Sequence, residues 1–190
     1  GHVIEYRGEA IEDLGMDARM TVCNMSIEAG ARAGLIAPDD TTYEYLRNRP
    51  RAPRGKDWDV ALKRWQQLYT DDGARFDKSV DVDASKLKPM VTFGTHPGMV
   101  VGIDEPVPDH SSDPSFRKAL NYMQVEAGKP MTQTSVDVVF LGSCTNSRLS
   151  DLQEAASILQ GQKIAAGVRM LVVPGSQQIK KAAEALGLDK

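Results

Sequence analysis

Apolar and polar positions alternate along this chain with two different periods. Met20, Cys23, Ile27 and Ala31 recur near helical spacing, which predicts a helix from Ile11 to Gly34 with Gly34 as its C-terminal stop. On such a helix Asn24 and Glu28 share one face about one turn apart, while Cys23 and Ile27 point to the neighbouring, more apolar side. Between Leu35 and Gly55, Pro38, Pro50 and Pro53 break regular structure, and Asp39, Asp40 and Thr41 offer caps for a short helix carrying Tyr43 and Leu46. Asp57 is the expected cap of a further helix, in which Trp58, Ala61, Leu62, Trp65, Leu68 and Tyr69 form an apolar stripe. Aromatic residues at that spacing are core residues, so both tryptophans are expected to pack.

Strand-like patterns follow. Val80 and Val82 alternate with Asp81 and Asp83, and Met90 to Phe93 is a second β-prone run. Asp104 to Pro114, rich in Pro, Asp and Ser, predicts a linker before a helix over Phe116 to Glu126. Val136 to Leu141 then predicts a strand, Gly142 to Ser147 a polar turn, and Leu149 to Leu159 a helix. The pattern repeats with Val168 to Val173, the turn Pro174-Gly175-Ser176, and a helix over Gln177 to Leu186 that turns Ile179, Ala182, Ala183 and Leu186 inward. Consecutive βα units imply parallel strands covered by helices, an α/β fold with helices on both faces. Ligands in such sheets sit beyond the C-terminal ends of the strands, where both turns fall. The expected organisation is a helix-rich α/β subdomain over 1–104, a linker and helix over 105–135, and the start of a second parallel α/β subdomain over 136–190.

Composition narrows the partners. With 41% hydrophobic and 26% charged residues the chain has the makeup of a globular domain, and no apolar run nears the roughly 20 residues of a membrane span. A net charge of −3 with scattered Lys and Arg excludes a nucleic-acid footprint. The chain starts at Gly1 without a basic or apolar leader and stops just after a helix-like segment, which predicts a piece of a longer, cytoplasmic protein without a signal peptide. The two cysteines, Cys23 and Cys144, are far apart and form no CxxC, consistent with a reducing compartment.

Candidate chemistry concentrates in the turn Gly142-Ser143-Cys144-Thr145-Asn146-Ser147. A thiol at a helix N-terminus ionises more readily, so Cys144 is a candidate nucleophile or metal ligand, against the alternative of an inert cysteine among capping residues. Of the three histidines, His2, His96 and His110, the one nearest a predicted element end is His96, in a turn after a strand, and it receives no role. Pro174-Gly175-Ser176 is a weak candidate for anion binding through backbone N–H groups, since it lacks the Gly-rich pattern and Lys of a P-loop.

With Val138-Val139-Phe140-Leu141 before it, Gly142-Ser143-Cys144-Thr145-Asn146-Ser147-Arg148 resembles the aconitase superfamily. Met20-Thr21-Val22-Cys23-Asn24-Met25-Ser26-Ile27-Glu28-Ala29-Gly30-Ala31 is similar to a second superfamily block, and Ala37 to Thr42 and Val172 to Ser176 resemble the isopropylmalate-isomerising branch, so the likeness runs along essentially the whole chain. The resemblance implies an aconitase-like fold with two partial subdomains. It also implies hydro-lyase chemistry: dehydration of 2-isopropylmalate and rehydration as 3-isopropylmalate, in leucine biosynthesis.

The implied cofactor is a 4Fe-4S cluster acting as a Lewis acid, held by three Cys thiolates with one open iron for the substrate. Cys144 matches the first of those thiolates; the family's other two come from a downstream CxxC that this chain lacks. Asn24 and Glu28 match a pair around the open iron, Glu28 in a general acid-base role and Asn24 orienting. Ser143, Thr145 and Asn146 match the shell around Cys144, whereas Cys23 is no ligand and is expected to be buried. The family's remaining catalytic Ser and Arg residues point to a small-subunit partner, so this chain alone is expected to be inactive. Two rivals stand beside this reading: a homoaconitase or citramalate dehydratase large subunit, and a free-standing anion-binding α/β module that never meets iron.

Overall fold

The computed structural model describes residues 1–190 except Ser111, Ser143 and Cys144. In chain order the elements are β1 (Val3–Glu5), α1 (Glu9–Glu12), α2 (Met16–Met25), β2 (Ala33–Leu35), α3 (Asp40–Leu46), α4 (Lys56–Trp65), β3 (Met90–Thr92), β4 (Val100–Gly102), α5 (Pro114–Met123), β5 (Val138–Leu141), α6 (Leu149–Leu159), β6 (Arg169–Val172) and α7 (Gln177–Ala185). The strands pair two by two: β1 with β2 and β5 with β6 in parallel, β3 with β4 antiparallel. Parallel pairs joined through helices make this an α/β chain, as the βα pattern predicts. Two units interleave along it. One comprises Gly1–Asp81, Ser143–Ala156 and Pro174–Lys190, the other Val82–Gly142 and Ser157–Val173. No helix among the described residues is long and apolar enough to cross a membrane.

In the first unit α2 ends at Met25, well short of the predicted Gly34. The Ser26 hydroxyl donates back to the Val22 carbonyl (3.0 Å) and pairs with the Tyr6 hydroxyl (2.8 Å), and the Ala31 N–H closes onto the Ser26 carbonyl (2.9 Å). Gly30, at φ +80°, supplies the left-handed turn that lets the chain reverse. The residues beyond it join β1 in the register Val3↔Ala33, Ile4↔Gly34, Glu5↔Leu35. Gly34 is therefore a strand residue rather than a helix stop. A Cβ there would stand 2.9 Å from the Cys23 Cα and collide with the Ser26 hydroxyl, so its missing side chain is what lets β2 lie on the last turn of α2.

Arg19 is the buried anchor of this unit, 3% exposed. Its Nη1 and Nη2 donate to the two carboxylate oxygens of Asp39 (2.6 and 2.7 Å), Nε donates to the Leu14 carbonyl (2.8 Å), and Nη2 also reaches the Glu12 carbonyl (2.6 Å). Asp39 simultaneously caps α3 by accepting from the Thr42 N–H (3.2 Å), the cap the sequence predicts. Trp58 and Trp65 of α4 meet edge to face with centroids 5.6 Å apart, and Trp65 stacks on Tyr43 at 6.4 Å, so both tryptophans pack as expected. Gly55 rather than Asp57 occupies the N-cap of α4, and the helix stops at Trp65, leaving Leu68 and Tyr69 exposed.

The second unit is built on an apolar cluster of Phe93, Met99, Val101, Val107, Ala119 and Leu120, with Phe116 edge-on to Phe93 at 6.1 Å. Val107 is 1% exposed, its N–H donating to the Lys129 carbonyl and its carbonyl accepting from the Gly128 N–H, so this one residue of the Pro-rich stretch is anchored in the core while residues 104–106 beside it are exposed. Val80 and Val82 lie outside any strand and are exposed; two valines cannot pay the ordering cost of a strand without a partner ladder. β5 and β6 run parallel in the register Val138↔Arg169 to Leu141↔Val172, with Phe140 and Leu171 exposed on the ladder.

Candidate functional site

Asp17, Thr21 and Asn24 stand at i, i+4 and i+7 on α2 and so share one polar face. In the first unit that face meets the segment Thr145 to Ser150. Ser150 Oγ bonds Asp17 Oδ2 at 2.5 Å. Arg148 Nη1 donates to the Asp17 carbonyl (3.1 Å) and to Thr21 Oγ1 (3.0 Å), with Nε 3.7 Å from Asp17 Oδ1. Asn146 Nδ2 donates to Thr21 Oγ1 (3.3 Å), and Asn24 Nδ2 donates to Thr145 Oγ1 (2.5 Å). Thr21 is saturated: its hydroxyl donates to the Asp17 carbonyl (3.1 Å) while accepting from Arg148 and Asn146.

The same segment is held from behind. Arg148 N–H donates to Asp151 Oδ2 (2.8 Å), an N-terminal cap of α6, and the carbonyl of Ser147, itself 2% exposed, accepts from the Gly175 N–H (2.9 Å). Ser176 Oγ accepts from Ile179 N–H (3.1 Å) and caps α7. The Gly175 N–H is thus engaged within the protein, and Ser176 Oγ serves as the acceptor that caps α7. Beside the seam lies a cleft of about 610 Å³ whose wall includes Asp17, Asp151 and Glu154. Three carboxylates make it a poor receptor for a dianionic molecule.

Asn24, Thr145 and Asn146 are therefore brought together, although Asn24 and Glu28 do not share a helical face. Glu28 lies past the C-cap Ser26, exposed in the turn that leads to Gly30, because α2 ends at Met25. Ser143 and Cys144 lie outside the described residues. Cys23 is half-buried and burial pushes its thiol up from the usual range. His96 is exposed, its Nδ1 accepting from the Gly98 N–H (3.2 Å), and His110 packs edge-on to Phe116 at 4.8 Å. Among the described residues no three His, Cys, Asp or Glu side chains gather as a metal site. Two cysteines, Cys23 and Cys144, are fewer than three thiolates, so the chain does not hold a complete ligand set for a cluster. Sequence reasoning missed Asp17, Thr21, Arg148 and Ser150; the i, i+4, i+7 spacing through Asn24 was the available signal for the first two.

The model of the aconitase family (aconitate hydratase) matches residues 1–190. A 3-isopropylmalate dehydratase large subunit of Roseiflexus castenholzii is 59% identical over 100% of this chain and 42% of its own length. The protein of the same name in Solibacter usitatus is 59% identical over 99% of this chain, again 42% of its own length. This chain thus spans less than half the length of those relatives. With a family match along its entire length and relatives of this closeness, the chain belongs to the aconitase family.

Proposed function

We propose that this chain is part of the large subunit of a 3-isopropylmalate dehydratase, a hydro-lyase interconverting 2-isopropylmalate and 3-isopropylmalate in leucine biosynthesis, paired with a small subunit in the cytoplasm. The observation that carries the reading is the bond from Asn24 to Thr145, which joins two blocks 121 residues apart that each resemble the family. The shared name of the two relatives supports the substrate.

In this reading Cys144 would hold one iron of a 4Fe-4S cluster, Ser143, Thr145 and Asn146 would supply polar groups beside it, and the other thiolates would come from the part of the subunit this chain does not span. Such a cluster, when bound, supplies a Lewis acid that eases departure of the substrate hydroxyl. Asn24, an amide donor fixed on α2, orients the oxygen atoms it faces. Glu28, an exposed carboxyl group on a turn, would give a proton to the departing hydroxyl, which leaves as water, and take one back from the water that adds on rehydration.

The test is anaerobic reconstitution of the complete large subunit with iron and sulfide, read by iron content and visible absorbance. Cys144→Ala is expected to abolish cluster retention, whereas Cys23→Ala keeps the cluster and costs about 1 kcal/mol of packing stability. Full iron content in the Cys144 variant would sink the assignment.

A further inference from the structure

We propose that Arg148 is a positioning residue, its guanidinium locking the segment 145–150 onto α2 and thereby setting where Thr145 and Asn146 stand against Asn24. The inference rests on the dehydratase reading above, and names a residue that reading does not use. The Arg148 side chain is 21% exposed and Asp17 37%, so the bonds from Arg148 to Asp17 and Thr21 are partly shielded from water. Its Nη1 bridges a backbone carbonyl and a side-chain hydroxyl one helical turn apart, 3.1 and 3.0 Å away, which fixes the guanidinium along α2 as well as against it. Thr21, the hydroxyl it shares with Asn146, lies three residues before Asn24 on the same face.

Removing the guanidinium empties one acceptor position on Thr21 and takes away the cationic contact of the seam, leaving the Asn146–Thr21, Asn24–Thr145 and Ser150–Asp17 bonds in place. The main chain is secured independently, because the Arg148 N–H caps α6 through Asp151 and the Ser147 carbonyl keeps Gly175. The side chain therefore governs alignment across the seam, while the turn itself has other supports. A lysine at 148 preserves the charge but not the planar fork, and so gives up the Nε approach to Asp17 Oδ1 that accompanies the Nη1 bonds.

The experiment compares Arg148→Ala, Arg148→Lys and Cys144→Ala in the complete large subunit with its small subunit. It measures kcat, KM, the rate at which cluster absorbance is lost to a chelator, and Tm. For Arg148→Ala the expected result is a 10- to 100-fold lower kcat with KM changed by less than about threefold, and cluster loss about tenfold faster, with Tm nearly unchanged. Arg148→Lys is expected between the two. The proposal is overturned if Arg148→Ala keeps both kcat and cluster lifetime within about twofold of the parent, or if its losses track a falling Tm and Arg148→Lys restores nothing. A cluster retained by Cys144→Ala would overturn the dehydratase reading itself, so the two failures are told apart.

Discussion

The polar anchoring around α2 in the first unit and the apolar cluster of the second hold their elements by opposite means. Around α2 the buried groups include Arg19, Ser26 and Ser147, each tied to named atoms at hydrogen-bond distance. In the second unit the buried groups are Phe93, Met99, Val101, Val107, Ala119 and Leu120, which share contact area without direction. Apolar burial is proportional to area and tolerates small shifts, whereas a hydrogen bond weakens within a few tenths of an ångström and a few tens of degrees. The candidate site residues Asn24, Thr145 and Asn146 lie in the region of the first kind, where position is specified atom by atom. The polar solution is complete: among the described residues no buried side-chain nitrogen or oxygen lacks a partner.

The largest expected effect breaks the polar side of this contrast. Arg19→Ala strips Asp39 of both guanidinium bonds and leaves the Leu14 and Glu12 carbonyls without their donor, a loss of about 4 kcal/mol for one half of a buried pair. In the complete subunit, amide exchange should accelerate in α2 and α3 and remain slow in β3, β4 and α5. The complementary change is smaller. Leu120→Ala, in the apolar cluster, should cost about 3 kcal/mol and reverse the pattern, loosening β3, β4 and α5 while the α2 seam stays protected. Uniform loosening by either variant would erase the distinction between the two regions.

The sequence revealed the elements whose period and cap coincide. Ser176 before α7 and Asp39 before α3 are local signals, and the strands β5 and β6 stand within a residue or two of their predicted bounds. The end of α2 was hidden because helical spacing continues through Ile27 and Ala31 even though β1, far away in sequence, recruits Ala33–Leu35 into a ladder. A non-local pairing overrode a local period. The same physics divides the site. Asn24 was legible from its block, but the partnership of Arg148 with Asp17 and Thr21 spans 131 and 127 residues and leaves no trace in spacing. Glu28 was expected one turn beyond Asn24 on the same helical face, and it lies instead in the turn after α2, because that stretch of helix does not form.

The smallest expected effect sharpens the comparison through pH. The Arg19 guanidinium, with help from the Thr42 N–H and hydroxyl, holds the Asp39 carboxyl below the usual carboxylate range against the opposing push of burial. A carboxylate with a depressed folded value binds its proton less readily when folded than when unfolded. Its stabilisation is therefore complete above the unfolded value of about 4 and drains away as pH falls through the lower folded value. Asp39→Asn keeps a competent N-cap for α3 but exchanges the ion pair for neutral bonds, and should cost about 1.5 kcal/mol at neutral pH. Melting curves of parent and variant from pH 7 downward should run parallel to about pH 4 and then converge, because protonation removes from the parent what the variant already lacks. The apolar cluster supplies no such dependence, so Leu120→Ala should leave a constant gap over the same range. A constant gap for Asp39→Asn would mean that the Arg19 pair contributes packing alone.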